Sequence, residues 1–520
     1  MARPAVFKSC LHEIATVYMI CLAQFLAQGG VLMALSTKNI ILQSFNDPNF
    51  DHSQAVWFMG SFALTVGTFI LISGKIGDVF GLKLVFVVGW VWVSIFSIIT
   101  GFSYYSKSVI FFIICRALQG IGFALILPCG MGILGTLYPN GERKNIAFGC
   151  VGALGPSGAF FGAFMAAVIA QLAWWPWVFW IMGIVAAIGA VISYWVIPME
   201  LTNKDCSTRE KLRRIDTYGS LTGVAGLVLL NFVWTQGPVV GWGTAYIIIL
   251  LVVSLALTGI FFYLEVKVIE IPLLPAGVFN RKIGLCLLCL GLGWGSFGIW
   301  QYYYWSLLLD LRHYTPIHGG LTYLTFCIMG IIAALLCGFI MSRTSPSYII
   351  SFASIAFMCG CIMLSVTPVK QSFFRMSFGQ LFILVWGMDL SFPAASLILS
   401  DNLPIEQQGM AGLLVTTVTN FSVSLILGIS STAEIEVFRR TGDTLLSYRA
   451  ALYLGIGVSG LGVLCSFVFI YQQLKESKQI KEQEKMGEID QVYQENHEST
   501  LGPTTDKSDS TEQLDISLSN

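Results

Sequence analysis

Two ionisable side chains sit where charge is expensive. Arg116 lies early in an apolar run near 109–137, and Asp389 lies inside another near 375–398, within Trp386-Gly387-Met388-Asp389-Leu390-Ser391-Phe392-Pro393. On insertion scales an Arg or Asp at the centre of a spanning helix costs about 2.5 to 3.5 kcal/mol, so each needs a partner or a task. For Asp389 the task is proton chemistry, because a carboxylate in an apolar cavity favours its protonated form and can couple that proton to a substrate. Arg116 does not usefully release a proton; it can modulate a nearby carboxylate or hold an anionic group. For both residues the alternative is a structural bond to a neighbouring helix. His318 falls at the mouth of a run rather than in its depth. No His/Asp/Glu metal cluster or nucleophile–base pair occurs in the runs, which points away from an enzyme and from a metal site. A Gly-rich GK[ST] loop is also missing from the sequence, so neither ATP nor another nucleotide cofactor is expected.

The elements that must position these groups are membrane spans. The 520 residues are 55% hydrophobic and 11% charged, with a mean hydropathy of +0.75, whereas a soluble domain carries about 25% charged residues. Windows of about 20 apolar residues fall near 15–36, 54–73, 84–103, 109–137, 146–170, 175–197, 217–235, 243–264, 284–308, 318–341, 347–367, 375–398, 410–432 and 449–472. These fourteen spans put both termini on one side. The N-terminus and even-numbered connections carry 15 Lys+Arg against eight on the odd ones, so the positive-inside rule makes that side cytosolic. Period-two alternation is absent and Gly is abundant (52), which excludes a β-barrel and gives an all-α integral membrane class. The 29 Lys+Arg cancel the 29 Asp+Glu, arguing against a nucleic-acid partner and leaving the lipid bilayer as the surrounding phase.

The 13 Cys are scattered singly in apolar stretches, so no structural disulfide is expected. Cys286 and Cys289 form a CxxC without a second pair or a His cluster, so zinc or redox chemistry is the weaker reading. From Leu474 onward five Lys face eleven Asp+Glu and the chain becomes polar. We therefore expect a disordered cytosolic tail over 474–520.

The chain also repeats. Gly122, Leu125, Pro128, Ile133, Leu134 and Pro139 share a constant offset with Gly387, Leu390, Pro393, Ile398, Leu399 and Pro404. Span four thereby pairs with span twelve, making two equivalent six-helix bundles with spans seven and eight inserted. The expected organisation is a cytosolic N-terminus (1–14), a first bundle (15–197), a cytosolic linker (198–216), two inserted spans (217–264), a second linker (265–283), a second bundle (284–473) and the tail. Two related bundles around a midplane site suit alternating access, and put Arg116 and Asp389 in equivalent helices, both able to face a central cavity.

Three motifs lie in order along the first bundle. Gly74-Lys75-Ile76-Gly77-Asp78-Val79-Phe80-Gly81-Leu82-Lys83 resembles motif A of the major facilitator superfamily. The resemblance implies that Asp78 latches helix ends across the bundle seam, with Gly74, Gly81 and Lys83 completing the gate. Arg116-Ala117-Leu118-Gln119-Gly120-Ile121-Gly122 resembles the family's span-four motif, associated with proton coupling, and Gln119 falls one turn after Arg116. Gly149, Gly152, Gly155, Pro156, Gly158 and Gly162 resemble the glycine-proline motif of antiporters, whose chemistry is close helix approach and a kink at Pro156.

Fourteen spans resemble the drug:proton antiporter branch. Gln171 to Trp177, Gln236 to Trp242 and Trp386 to Ser396 resemble the fungal subgroup of aminotriazole-resistance, boron-efflux and low-affinity ammonium transport proteins. One departure is that Ala27-Gln28-Gly29-Gly30-Val31-Leu32-Met33-Ala34-Leu35-Ser36 has no acid where that branch usually carries an Asp, leaving Asp389 as the carboxylate deep in a span. Gln24, Gln28, Asn231, Trp294, Trp300, Gln301 and Asn420 are the polar and aromatic groups available to a ligand, with packing as their ordinary role. The resemblance implies a plasma-membrane exporter, a monomer, moving small polar solutes or drugs out against protons, with the vacuolar membrane as the other address. An ammonium or small-cation facilitator of the same fold is the alternative, and a transporter-like nutrient sensor a remote one.

Overall fold

The computed structural model describes residues 4–45, 52–139, 142–198, 216–269, 272–274, 278, 280–403 and 409–500. The linker at 199–215 and the last part of the tail, 501–520, lie outside the described residues, as does Pro404 of the repeat. Among the described residues fourteen helices are long and apolar enough to cross a membrane. They are α1 (Cys10–Ser36), α2 (Trp57–Phe80), α3 (Leu82–Phe102), α4 (Val109–Leu137), α5 (Glu142–Leu172), α6 (Pro176–Val196) and α7 (Thr217–Val240). The second half holds α8 (Ala245–Lys267), α9 (Arg281–Ser306), α10 (Leu324–Arg343), α11 (Pro346–Ser365), α12 (Ser377–Asn402), α13 (Gly409–Thr441) and α14 (Thr444–Thr500). We call the face where α1 begins proximal and the opposite face distal.

Local chemistry sets the helix ends. Side-chain oxygens of Ser9, Ser108, Asp216 and Asn280 accept backbone N–H groups at the starts of α1, α4, α7 and α9, satisfying donors that the first turn leaves without partners. Proline opens α6 and α11, where its missing N–H is not needed. Between α2 and α3 the chain reverses at Gly81, whose φ of 112° is one that residues with a β-carbon avoid.

The internal repeat is visible in the packing. Helix α1 lies on α5, α2 on α4, and α3 on α4; eight helices later α9 lies on α13, α10 on α12, and α11 on α12. A β-carbon on Gly122 would press into Val93 of α3, and one on Gly387 would meet the Ala353 carbonyl and the Phe357 ring of α11. The matched glycines thus perform the same task, letting α4 and α12 approach their neighbours closely. The two bundles meet along α2·α13 and α5·α10, while the inserted α7 and α8 pack on each other and α7 also lies along α2 and α13.

Met1–Phe469 forms one compact unit and Ile470–Asn520 a second. Helix α14 spans Thr444–Thr500 and so includes the polar stretch that begins at Leu474. The stretch is rich in Glu, Gln and Lys and has no Pro before Pro503, a composition of good helix formers with i,i+4 charge pairs.

Candidate functional site

Asp389 stands at the seam between the bundles. It is half-buried on α12, and its Oδ2 is shielded from solvent without a hydrogen-bond donor. A β-carbon built on Gly330 of α10 would fall 3.2 Å from that oxygen and would collide with the Pro156 ring of α5. Two groups singled out separately in the sequence, the span-twelve acid and the span-five proline, are therefore brought together by a glycine that was not. Gly330 is silent in sequence because it sits alone in an apolar run; only the helix crossing gives it a task. Two residues past Asp389, Ser391 Oγ accepts Trp294 Nε1 at 3.0 Å, which ties α9 to α12 beside the acid.

Arg116 is placed differently. It is fully buried; its guanidinium donates to Gln119 Oε1 and to the Gly30 carbonyl and lies over the rings of Phe62 and Phe179, 4.6 and 5.7 Å from their centroids. Gln119 Nε2 continues the chain to Ser97 Oγ at 2.6 Å. Every one of these partners belongs to the first bundle. The expectation that Arg116 shares a cavity with Asp389 is corrected: equivalent helices do not point equivalent side chains the same way when one finds a carbonyl and two ring faces inside its own bundle. Gly120 and Gly122 make room for this core, since β-carbons there would strike Phe62 and Thr65 on one side and Val93 on the other.

Motif A supplies ties. Lys83 Nζ donates to the Ile197 carbonyl at 2.9 Å, holding the end of α6, and Lys75 Nζ donates to the Pro272 carbonyl at 2.6 Å. Gly74 lies against Leu413 of α13, so the α2·α13 seam closes here on a glycine. Asp78 is exposed in the last turn of α2, within electrostatic reach of Lys75.

The span-five motif also divides. Gly158 and Gly162 lie against the backbone of Phe25 and Gly29 on α1, where a β-carbon has no room, whereas Gly149 and Gly152 face open space. Gly155 has only Gln24 Nε2 in reach. Gln24 thus comes near Gly155, and Pro156 and Asp389 meet at Gly330. Asn420 sits at the α2·α13 seam against Gly67, its Nδ2 donating to the Thr416 carbonyl at 3.0 Å. Gln28 is half-buried on α1, and Gln301 is buried on α9. Trp300 is fully buried, donates to Gln380 Oε1 at 2.9 Å and stacks on Tyr304; it is core of the second bundle rather than a cavity wall.

The distal end carries a cluster that sequence reading passed over. Lys38, 3% exposed, donates through Nζ to Ser306 Oγ at 2.6 Å and to Asp310 Oδ2 at 2.8 Å. Asn39 Nδ2 and the Tyr448 hydroxyl each reach the same carboxylate at 2.8 Å. A single π-helical turn, Leu307–Leu311, continues α9 and carries Asp310, a local widening often used at functional positions. Read along the chain Lys38 is one more loop charge; the fold makes it a bond between bundles, joined by Gly320 packed on Phe164. A usable signal was an acid inside Leu307-Leu308-Leu309-Asp310-Leu311.

These features describe a helical carrier, with two related bundles, a seam that holds an acid oxygen without a donor and a charged pair that bridges the bundles at the distal end. The chain belongs to the major facilitator superfamily, whose family model matches residues 20–428. A low affinity ammonium transporter of Saccharomyces cerevisiae is 43% identical over 472 residues, covering 91% of this chain and 91% of its own. An aminotriazole resistance protein of the same yeast is 43% identical over 483 residues, covering 92% of this chain and 88% of its own. A POT family transporter solved in complex with 5-aminolevulinic acid has a similar fold, with a TM-score of 0.63 at 14% identity over 89% of this chain and 96% of that one. The protein is an integral, multi-pass membrane transporter of small molecules, not an enzyme.

Proposed function

We propose that the protein is a secondary active exporter that moves small polar solutes or drugs out of the cell against protons, by alternating access between α1–α6 and α9–α14. The observation that carries this reading is the Asp389 carboxyl, which has an oxygen without a donor beside the α5·α10 seam. A carboxyl locked in a salt bridge is not free to exchange its proton, but one without a fixed partner is. Because Asp389 abuts the contact that must slide when the bundles rock, loading or unloading its proton changes the charge at that contact and so biases the two states. Arg116, enclosed in the first bundle, acts as a positioning group for span four. Motif A and the Lys38–Asp310 pair act as fastenings at opposite faces. The aminotriazole resistance relative supports the drug-export direction. The protein works as a monomer in the plasma membrane with both termini in the cytosol, the distribution of Lys and Arg supporting that orientation.

A second reading, an ammonium or small-cation facilitator, is favoured by the ammonium transporter relative and by the lack of an acid over 27–36. Flux into sealed vesicles under an imposed pH gradient separates the two, using aminotriazole, boric acid and methylammonium with wild type and Asp389→Asn. The exporter reading expects uphill movement that collapses with a protonophore and in the variant. Downhill methylammonium movement indifferent to the gradient would establish the facilitator and return Asp389 to a structural role.

A further inference from the structure

A second acid site lies on the inserted helix pair, away from Asp389. Asp216 caps the start of α7 and Glu265 occupies the last turn of α8; they are 6% and 4% exposed. Each carboxyl spends one oxygen on backbone: Asp216 Oδ1 accepts the Gly219 N–H at 2.8 Å, and Glu265 Oε2 accepts the Leu274 N–H at 2.9 Å. The remaining oxygens, Asp216 Oδ2 and Glu265 Oε1, are both shielded from water and both without a donor. They aim at one spot, since a β-carbon on Gly219 would collide with the first and fall 2.8 Å from the second. Leu71, Phe261 and Leu273 form an apolar cluster at this end of the pair, with Leu413 of α13 packed against it. The charged group facing the pair from α2 is Lys75, with Asp78 beyond it, and the Lys75 ammonium donates to the Pro272 carbonyl.

Two bare carboxylates in contact and without donors repel one another at a cost that burial makes larger. One proton between them turns the repulsion into a hydrogen bond and satisfies both oxygens at once. We propose that Asp216 and Glu265 form a proton-binding site, an acid–carboxylate pair sharing one proton, which fastens the base of the α7–α8 pair to the backbone at Leu274 ahead of α9. Loss of the proton leaves two like charges in contact with only the Lys75 ammonium, among the described residues, facing them, and loosens that fastening. The site is distinct from Asp389 and does not depend on Asp389 being the coupling group.

The test uses the full-length protein in lipid, observed by difference infrared spectroscopy as pH is stepped, in wild type, Glu265→Gln, Asp216→Asn and Asp389→Asn. Both pair variants keep the oxygen that accepts the backbone N–H and supply an amide donor in place of the shared proton, so they preserve the fold. A protonated-carboxyl band that titrates in wild type and in Asp389→Asn, and is lost in both Glu265→Gln and Asp216→Asn, is the expected result. Hydrogen exchange adds a second readout. After correction for intrinsic rate, protection around Leu274 falls at least several-fold above the transition in wild type and stays level in Glu265→Gln. A band pattern unchanged by both pair variants, or protection at Leu274 equally pH-dependent in wild type and Glu265→Gln, would overturn the proposal. Because no flux is read, failure here is separable from failure of the antiport reading.

Discussion

Helices α4 and α12 occupy matched places in the two bundles, carry matched glycines and prolines, and each holds an ionisable residue at membrane depth; they treat that residue in opposite ways. Arg116 has a carbonyl, an amide oxygen and two aromatic faces around it, all from its own bundle. Asp389 has an oxygen with no donor and sits against a contact between bundles. The difference teaches that repetition of a helix scaffold does not repeat its chemistry. Arg116 spends its terminal N–H groups on its own bundle, with only Nε left without an acceptor, whereas Asp389 keeps an oxygen without a donor beside a contact between bundles.

The strongest way to break this comparison is to remove the satisfied charge. Arg116→Leu leaves Gln119 and the Gly30 carbonyl without their donor in the core. It should cost about 1–3 kcal/mol for each acceptor left unmet, read as a large fall in the melting temperature of the purified protein or loss of its expression. An Arg116→Leu protein of normal stability that has lost only its proton dependence would place Arg116 in the coupling step instead. Next in size is the seam: Gly330→Leu drives a side chain into Pro156, so flux should fall at least tenfold while the protein remains folded, measured by vesicle uptake alongside thermal stability. Normal flux would mean that α5 and α10 do not need this close approach.

The distal fastening sharpens the comparison from another side, since Lys38–Asp310 is a satisfied pair that nevertheless bridges the bundles. Lys38→Ala should raise distal labelling of a cysteine placed at Ser306 several-fold, and exchange of the two charges, Lys38→Asp with Asp310→Lys, should restore much of the protection. Equal labelling in all of them would remove the pair as a fastening. The smallest effect is expected at Trp300: Trp300→Phe keeps a ring in the second-bundle core but leaves Gln380 without its indole donor. It should lower stability by about 1–3 kcal/mol and leave the substrate profile unchanged in competition assays. A changed profile would put Trp300 back in the binding cavity.

Much of the architecture could be read from apolar runs, because a spanning helix announces itself by length. The matched glycines of α4 and α12 were also legible, since close packing against a neighbour demands a residue type that sequence displays directly. The site was legible only in part. Asp389 and Pro156 stood out by type, but Gly330 did not, and the pairing of Arg116 with a shared cavity failed because a sequence does not tell which way a helix is turned. Lys38 and Asp310 are 272 residues apart, and Asp216 and Glu265 are joined only because α7 folds back on α8.

By itself, then, the amino-acid sequence determined the number of spans, the two-bundle repeat and the rare charges at membrane depth, because each follows from the cost of putting polar groups among lipid. The tertiary structure alone decided which of those charges is satisfied, since a hydrogen bond or a collision depends on the rotation and crossing of helices from distant parts of the chain. It is that rotation which encloses Arg116 within one bundle and leaves an Asp389 oxygen without a donor at the seam.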